Sequence, residues 1–90
     1  VRYTSSYSYL MEKLYIISCH FSYVLKRFRR EAGLTQVQLS ERAGVSPSFI
    51  GMLESGRKKP SLDMLCQLAE ALGIRASDLL VAMEKERELR

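Results

Sequence analysis

The most distinctive charged group in the sequence is a run of three basic residues, Arg57-Lys58-Lys59, directly after Gly56. Such a run can bind an anion, or it can be an ordinary solvated surface. Residues 26–59 carry eight Lys or Arg against three acids, a net charge of +5, whereas residues 60–90 carry a net charge of −2. Positive charge concentrated on one side of a small domain suits a phosphate-rich partner. We therefore expect the middle of the chain to bind a polyanion.

No other residue types are spaced for catalysis or for metal binding. His20 lacks a partner at ligand spacing, and Cys19 and Cys66 lie far apart and match no metal motif. Paired acid and base groups, an activated nucleophile and a phosphate-binding loop are also missing from the pattern. The sequence therefore predicts a protein that is not an enzyme and uses no metal or cofactor. Both thiols are expected to be free in a reducing cytoplasm.

The chain length and the punctuation of its apolar pattern predict one domain of short helices. The chain has 90 residues, and no stretch approaches the roughly 18 apolar residues of a membrane span. The N-terminus lacks the residue order of a secretory signal. Apolar residues recur at helical spacing and no strand pattern is visible after Gly33, so the expected fold is all-α, a five-helix bundle.

Helix-capping residues mark the predicted ends of these helices. The first helix is expected at about residues 22–32 and the fifth from about Ala76. The predicted caps and stops are Gly33, Thr35 with Gln38 as a capping box, Gly44, Ser46 with Pro47 at the first helical position, Gly56, Ser61 and Gly73. The predicted inward-facing residues are Leu25 and Phe28, then Leu39 and Ala43, then Ile50 and Leu53, then Leu62, Leu65, Leu68, Ala69 and Leu72.

Two terminal segments are expected to lie outside the domain at residues 21–83. Residues 1–20 are an N-terminal extension, and their first ten residues are rich in Ser and Tyr without helical periodicity. This extension could be a disordered arm, an added strand or an upstream segment, and Met11 is an alternative start of translation. Residues 84–90 form a charged C-terminal tail.

The second and third predicted helices are joined by only three residues, Gly44 to Ser46. So short a link forces the helices to cross steeply. A small residue, Ser40, stands where they must approach, Gly44 supplies the positive φ of the turn, and Ile50 anchors the third helix. This spacing of small, Gly and β-branched residues is typical of a helix-turn-helix, whose second helix can enter the DNA major groove.

Over these residues the chain resembles the Cro/phage-repressor type of helix-turn-helix domain, the XRE family. The resemblance runs from about Phe21 to Leu80 and is carried by "GLTQ..L", "AGVS...I..LE.G" and "P....L..LA.ALG". It implies the lambda-repressor-like fold and double-stranded DNA as the partner. Within the family, a stand-alone chain of this length resembles the controller proteins of restriction–modification systems. A phage-type repressor and a generic regulator are the alternatives.

The resemblance also implies a role for each matching residue. The phosphate contacts it implies are Gln36, Ser46, Arg57, Lys58 and Lys59. The base contacts it implies are Pro47, Ser48, Gly51 and Met52. Arg29 and Glu54 match a pair that forms an internal salt bridge. The alternatives are structural: Gln36 as a surface residue, Ser46 as a helix cap only, the basic run as solvated charge and Met52 as a core residue.

The third helix carries few side chains that read bases well. Two-pronged recognition uses Arg with guanine or Asn and Gln with adenine. None of these occurs between Gly44 and Ser55. Ser48 discriminates little, and Met52 can pack on a thymine methyl group. We therefore expect modest base reading, supplemented by DNA shape and by the half-site spacing of a dimer.

The fifth helix is the expected homodimer interface, because Leu79, Leu80 and Met83 belong to an apolar run longer than one core-facing stripe needs. The alternative is that these side chains close the core of the monomer. The predicted function is a sequence-specific transcriptional regulator that binds a palindromic operator as a homodimer. The competing function is an antitoxin-like protein that binds a partner protein through residues 1–20 and represses its own promoter.

Overall fold

The computed structural model describes residues 20–89 of the chain, with side chains described for residues 20–87. These residues form five α-helices and no strand, as the sequence predicted. The helices are α1 at residues 20–31, α2 at Gln36–Ala43, α3 at Pro47–Glu54, α4 at Leu62–Leu72 and α5 at Ala76–Leu89. What was predicted for residues 1–19, including Cys19 and a start at Met11, lies outside the described residues.

The helix boundaries follow the predicted capping residues. Thr35 and Gln38 form a complete capping box: Thr35 Oγ1 accepts from the Gln38 N–H at 3.0 Å, and Gln38 Oε1 accepts from the Thr35 N–H at 2.9 Å. Ser46 and Ser61 cap α3 and α4 in the same way, each accepting one backbone N–H at 3.1 Å. These short-range hydrogen bonds satisfy N–H groups that a helix leaves without an internal partner.

One apolar core lies between the helices. Its fully buried apolar side chains come from all five helices and are Val24, Leu25, Leu39, Ile50, Leu53, Leu68 and Leu79. Helix α2 packs against α3 and α4, and α4 packs against α5. Because each helix is short, this shared burial, rather than helix propensity, is the main source of its stability.

Two apolar residues are less buried than predicted. Leu62 is 74% exposed, although it was expected on the inner face of α4. It occupies the first position of α4, at the edge of the arc that contains Leu65 and Ala69, so the core does not reach it. Phe28 is only partly buried and lies against the core margin, where the Arg27 guanidinium stands 5.2 Å from its ring centre.

Helix α5 continues further than the sequence pattern indicated. The charged residues from Glu84 onward are part of the helix, which ends at Leu89. Leu79 is fully buried and Met83 is 8% exposed, whereas Leu80 and Val81 are 45% and 46% exposed. The three residues predicted for a dimer interface therefore lie on different sides of α5, and Leu79 faces the core of its own chain.

Candidate nucleic-acid interface

A tight turn at Gly44 fixes the angle between α2 and α3. Gly44 has φ 73°, and the N–H groups of Gly44 and Val45 both donate to the Ser40 carbonyl. Ser40 is 1% exposed, and its hydroxyl donates back to the Val37 carbonyl at 2.7 Å. Ile50 is fully buried and anchors the inner side of α3 in the core. The three positions that the sequence pattern identified thus act together to set one helix across the other.

Helix α4 also holds this turn. The Gln67 side chain donates from Nε2 to the Ala43 carbonyl at 2.6 Å, which satisfies a carbonyl at the C-terminal end of α2. The contact joins residues 24 positions apart and was not anticipated from the sequence. Its effect is to fix the end of α2 from which the turn to α3 begins.

A buried ion pair fixes the other end of α3. The Arg29 Nε and Nη2 atoms donate to the two Glu54 carboxylate oxygens at 2.6 and 3.0 Å, and Arg29 Nη1 donates to the Leu34 carbonyl at 2.7 Å. The two side chains are 9% and 3% exposed. The pairing joins α1 to the last residue of α3, which is the structural role that the sequence resemblance implied.

Gln36 adds a third helix to this cluster. Its Nε2 atom donates to Glu54 Oε1 at 3.0 Å. Burial alone would raise the pKa of Glu54, but the hydrogen bonds from Arg29 and Gln36 and the positive charges of Arg29 and Lys26 outweigh it and hold the pKa below its usual value. The hydrogen bond to Glu54 likewise raises the pKa of Arg29. Glu54 is therefore ionised at neutral pH and is the shared acceptor of α1 and α2.

The hydrogen bond with Glu54 gives Gln36 a structural role in addition to the DNA phosphate contact predicted for it. Its side chain is exposed, as a phosphate contact requires, but it also lies beside α3, with Oε1 3.9 Å from where a Cβ at Gly51 would be. The Gln36 amide thus lies at ordinary contact distance from the outer face of α3 at Gly51. No short-range sequence signal indicates this contact, since 18 positions separate Gln36 from Glu54.

The outer face of α3 carries the residues predicted to touch bases. Pro47 and Ser48 are exposed, and Gly51 and Met52 are partly exposed. Ser46 caps the helix, and its hydroxyl lies 3.2 Å from that of Ser48, so it already has a structural role. The first turn of α3 carries no acidic side chain, but Pro47 has no N–H and the Phe49 N–H already donates to Ser46.

The basic run lies directly beside the end of α3. The Arg57 and Lys58 N–H groups both donate to the Met52 carbonyl, at 2.9 and 3.1 Å, so the loop folds back over the last turn of the helix. Gly56 makes this possible with φ 82°. Arg57, Lys58 and Lys59 are all exposed. Three positive charges therefore adjoin the outer face of α3 at its C-terminal end.

The arrangement has the architecture of a DNA-reading helix-turn-helix: a recognition-type helix with an exposed outer face, fixed from below and bordered by positive charge. The helix-turn-helix family HTH_3 matches residues 25–79 of the chain. The chain belongs to this helix-turn-helix family. Within the described residues, no cluster of potential metal ligands is present and no helix is long and apolar enough to cross a membrane.

Several regulators are similar to the chain. An uncharacterised HTH-type transcriptional regulator from Sinorhizobium fredii is 39% identical over 59 residues, which cover 66% of this chain and 77% of that protein. The immunity repressor protein of Bacillus phage phi105 is 45% identical over 56 residues, covering 62% of this chain but only 39% of the repressor. The similarity to the phage repressor is thus confined to a domain-sized part of a longer protein.

Solved structures of bacterial regulators share the fold. The clp gene regulator ClgR from C. glutamicum has a TM-score of 0.72 and 31% identity over 79% of this chain and 91% of that chain. The restriction–modification controller protein C.AhdI from Aeromonas hydrophila has a TM-score of 0.65 and 33% identity over 67% of this chain and 91% of that chain. Both similarities support the lambda-repressor-like fold that the sequence predicted.

Proposed function

We propose that the chain is a sequence-specific DNA-binding transcriptional regulator that acts as a homodimer on a palindromic operator, with α3 in the major groove. One observation carries the proposal: the Arg57–Lys59 loop is folded onto the C-terminal end of an exposed helix whose inner side is fixed by Ile50 and Glu54. A fixed helix beside a row of positive charge can enter the groove while the charges hold phosphates next to its C-terminal end.

The proposed contacts divide into two groups with different effects. Gln36, Ser46 and the loop at residues 57–59 contact phosphates, so they contribute affinity for every DNA sequence. Pro47, Ser48, Gly51 and Met52 face the base edges. Ser48 can donate or accept a hydrogen bond, and Met52 can pack on a thymine methyl group. Because both are weak discriminators, the operator is also selected by its deformability and by the spacing of its half-sites.

The exposed side of α5 is the proposed dimer interface. Leu80 and Val81 are about half exposed, and Leu80, Met83, Glu84 and Arg87 line a surface depression of about 230 Å³. Leu79 supports this surface from the core without reaching a partner. An apolar side chain from a second copy can fill the depression while the charged residues at its margin pair across the axis. Two copies related by a two-fold axis would present two α3 helices to a palindromic site.

The test is binding of the purified protein to a fluorescent duplex from its own upstream region and to a scrambled duplex, at several salt concentrations, with mass measured by light scattering. We expect a dimer that prefers its upstream DNA by about tenfold, a discrimination of about 1.4 kcal/mol. Equal, steeply salt-dependent binding to both duplexes would contradict sequence-specific reading. A monomeric mass at concentrations that saturate the operator would contradict the dimer.

Two sets of variants separate the affinity for any DNA from the preference for one sequence. Lys58→Ala combined with Lys59→Ala should weaken binding to both duplexes equally and flatten its dependence on salt. Ser48→Ala and Met52→Ala should change the ratio between the duplexes more than the mean affinity. Arg75→Ala, a change at an exposed residue of the loop before α5, is the control and should alter neither. Co-purification with a protein partner would favour the antitoxin-like alternative.

A further inference from the structure

Helix α1 presents a line of residues to the end of α3 and to the basic loop. Ser22, Lys26 and Arg29 are spaced i, i+4 and i+7, which places them on one face of α1. Both ends of this line have defined neighbours: the Ser22 hydroxyl oxygen lies 3.8 Å from the position of a Cβ at Gly56, and Arg29 binds Glu54. Lys26, which lies between them, therefore faces the junction of α3 and the loop.

Lys26, unlike Arg27 and Arg29 on the same helix, has no fixed partner in the part of the chain that the structure describes. Arg29 is paired with Glu54, and the Arg27 Nε lies 3.7 Å from a Glu31 carboxylate oxygen. Among the described residues, Lys26 makes no ion pair or hydrogen bond. Its ammonium group is close enough to Glu54 to lower that carboxyl's pKa, but both Glu54 oxygens already accept from Arg29, and one also accepts from Gln36. Lys26 is thus a positive charge near the end of α3 that favours the ionised form of Glu54 but is held by no direct contact among the described residues.

We propose that Lys26 is a further DNA phosphate contact, one that extends the basic loop at residues 57–59 onto α1. The ligand is a phosphate of the duplex backbone next to the C-terminal end of α3. The surrounding groups suit such a ligand: the loop supplies three positive charges on one side, and the Glu54 carboxylate is covered by its hydrogen-bond donors on the other. A lysine contact of this kind adds affinity without selecting a sequence. The inference rests on the proposed function, since it assumes that the chain binds DNA.

The experiment measures the salt dependence of DNA binding by Lys26→Gln. Glutamine has nearly the helix propensity of lysine, so α1 is kept while the charge is removed. On B-form DNA the logarithm of the binding constant falls with the logarithm of salt concentration with a slope of about −0.9 for each phosphate neutralised. Lys26→Gln should therefore flatten the slope by about 0.9 for each bound copy. It should weaken binding to the upstream and scrambled duplexes by the same factor.

Two further variants make the result specific. Lys26→Arg retains the charge and should keep the wild-type slope. Arg75→Gln removes an exposed positive charge from the loop before α5, outside every proposed contact, and should also keep it. A wild-type slope in Lys26→Gln, or an equal loss in Lys26→Arg, would overturn the inference and leave the proposed function intact. Failure of the wild-type protein to bind any duplex would overturn both.

Discussion

The inner side of α3 presents Ile50 and Leu53, both fully buried, and the helix ends at Glu54, whose carboxylate accepts from α1 and α2. Its outer side presents Ser48, Gly51 and Met52, all at least partly exposed, and the side-chain hydrogen bond described there is the local contact of Ser48 with Ser46. The two sides of α3 are therefore constrained to different degrees. The position of α3 is strongly determined by packing and charge, whereas the surface proposed to meet the bases is open to change. Mutations on the two sides should therefore have opposite consequences for stability and for DNA preference.

The largest effect is expected from Glu54→Ala. The change leaves the Arg29 guanidinium buried without its carboxylate, and removing one partner of a buried ion pair typically costs about 3–5 kcal/mol. The midpoint of urea unfolding should fall accordingly. Glu41→Ala, at an exposed residue of α2, is the control and should change the free energy of unfolding by less than about 0.5 kcal/mol. Equal midpoints for Glu54→Ala and the control would contradict the role of the pair.

The acid side of the stability curve provides a second measure of the same pair. The pKa of Glu54 is lower in the folded chain than its ordinary value of 4.5, so the unfolded chain binds its proton first. The stabilisation from Glu54 is complete above that ordinary value and is lost as the pH falls through the folded pKa. Glu54→Gln, which can still accept from Arg29, should lack this component. Its unfolding free energy should fall less steeply than that of the wild type as the solution is acidified.

The helix boundaries were predictable because local chemistry sets them. The capping box of Thr35 and Gln38, the Ser46-Pro47 start and the positive-φ glycine at residue 44 involve partners within five positions. A side chain that must accept a nearby N–H, or a residue that must adopt positive φ, is visible in the sequence itself. The pattern at the α2–α3 turn therefore predicted the helix-turn-helix from local chemistry alone.

Exposure and long-range contacts were less predictable. Leu62 has the right spacing for the core of α4 but lies beyond its edge, and Leu79 and Leu80 are adjacent yet face opposite environments. The hydrogen bonds of Gln36 with Glu54 and of Gln67 with Ala43 depend on how three helices meet. Helical periodicity defines a face, but only tertiary packing determines how far each face is covered.

A smaller effect is expected from Gly44→Ala at the turn that sets the crossing of α2 and α3. A Cβ at Gly44 would lie 3.9 Å from Gln67 Nε2, so space is sufficient, but φ is 73°. A residue with a Cβ in this left-handed conformation costs about 1–2 kcal/mol. Gly44→Asn should lose less, since Asn tolerates the conformation better, and thermal unfolding can rank the three proteins. A loss in Gly44→Asn as large as that in Gly44→Ala would attribute the cost to crowding instead.

The smallest effect, and one of opposite sign, is expected from Gly51→Ala on the outer side of α3. Here a Cβ would meet only Gln36 Oε1, at an ordinary contact distance of 3.9 Å, and the residue lies in mid-helix. Alanine should therefore stabilise the domain by about 0.5–1 kcal/mol. Because the same methyl group would stand between α3 and the bases, affinity for the upstream duplex should fall while the melting temperature rises. A more stable protein with unchanged DNA affinity would show that the backbone at Gly51 does not approach the bases closely, and would move the reading surface toward Pro47 and Ser48.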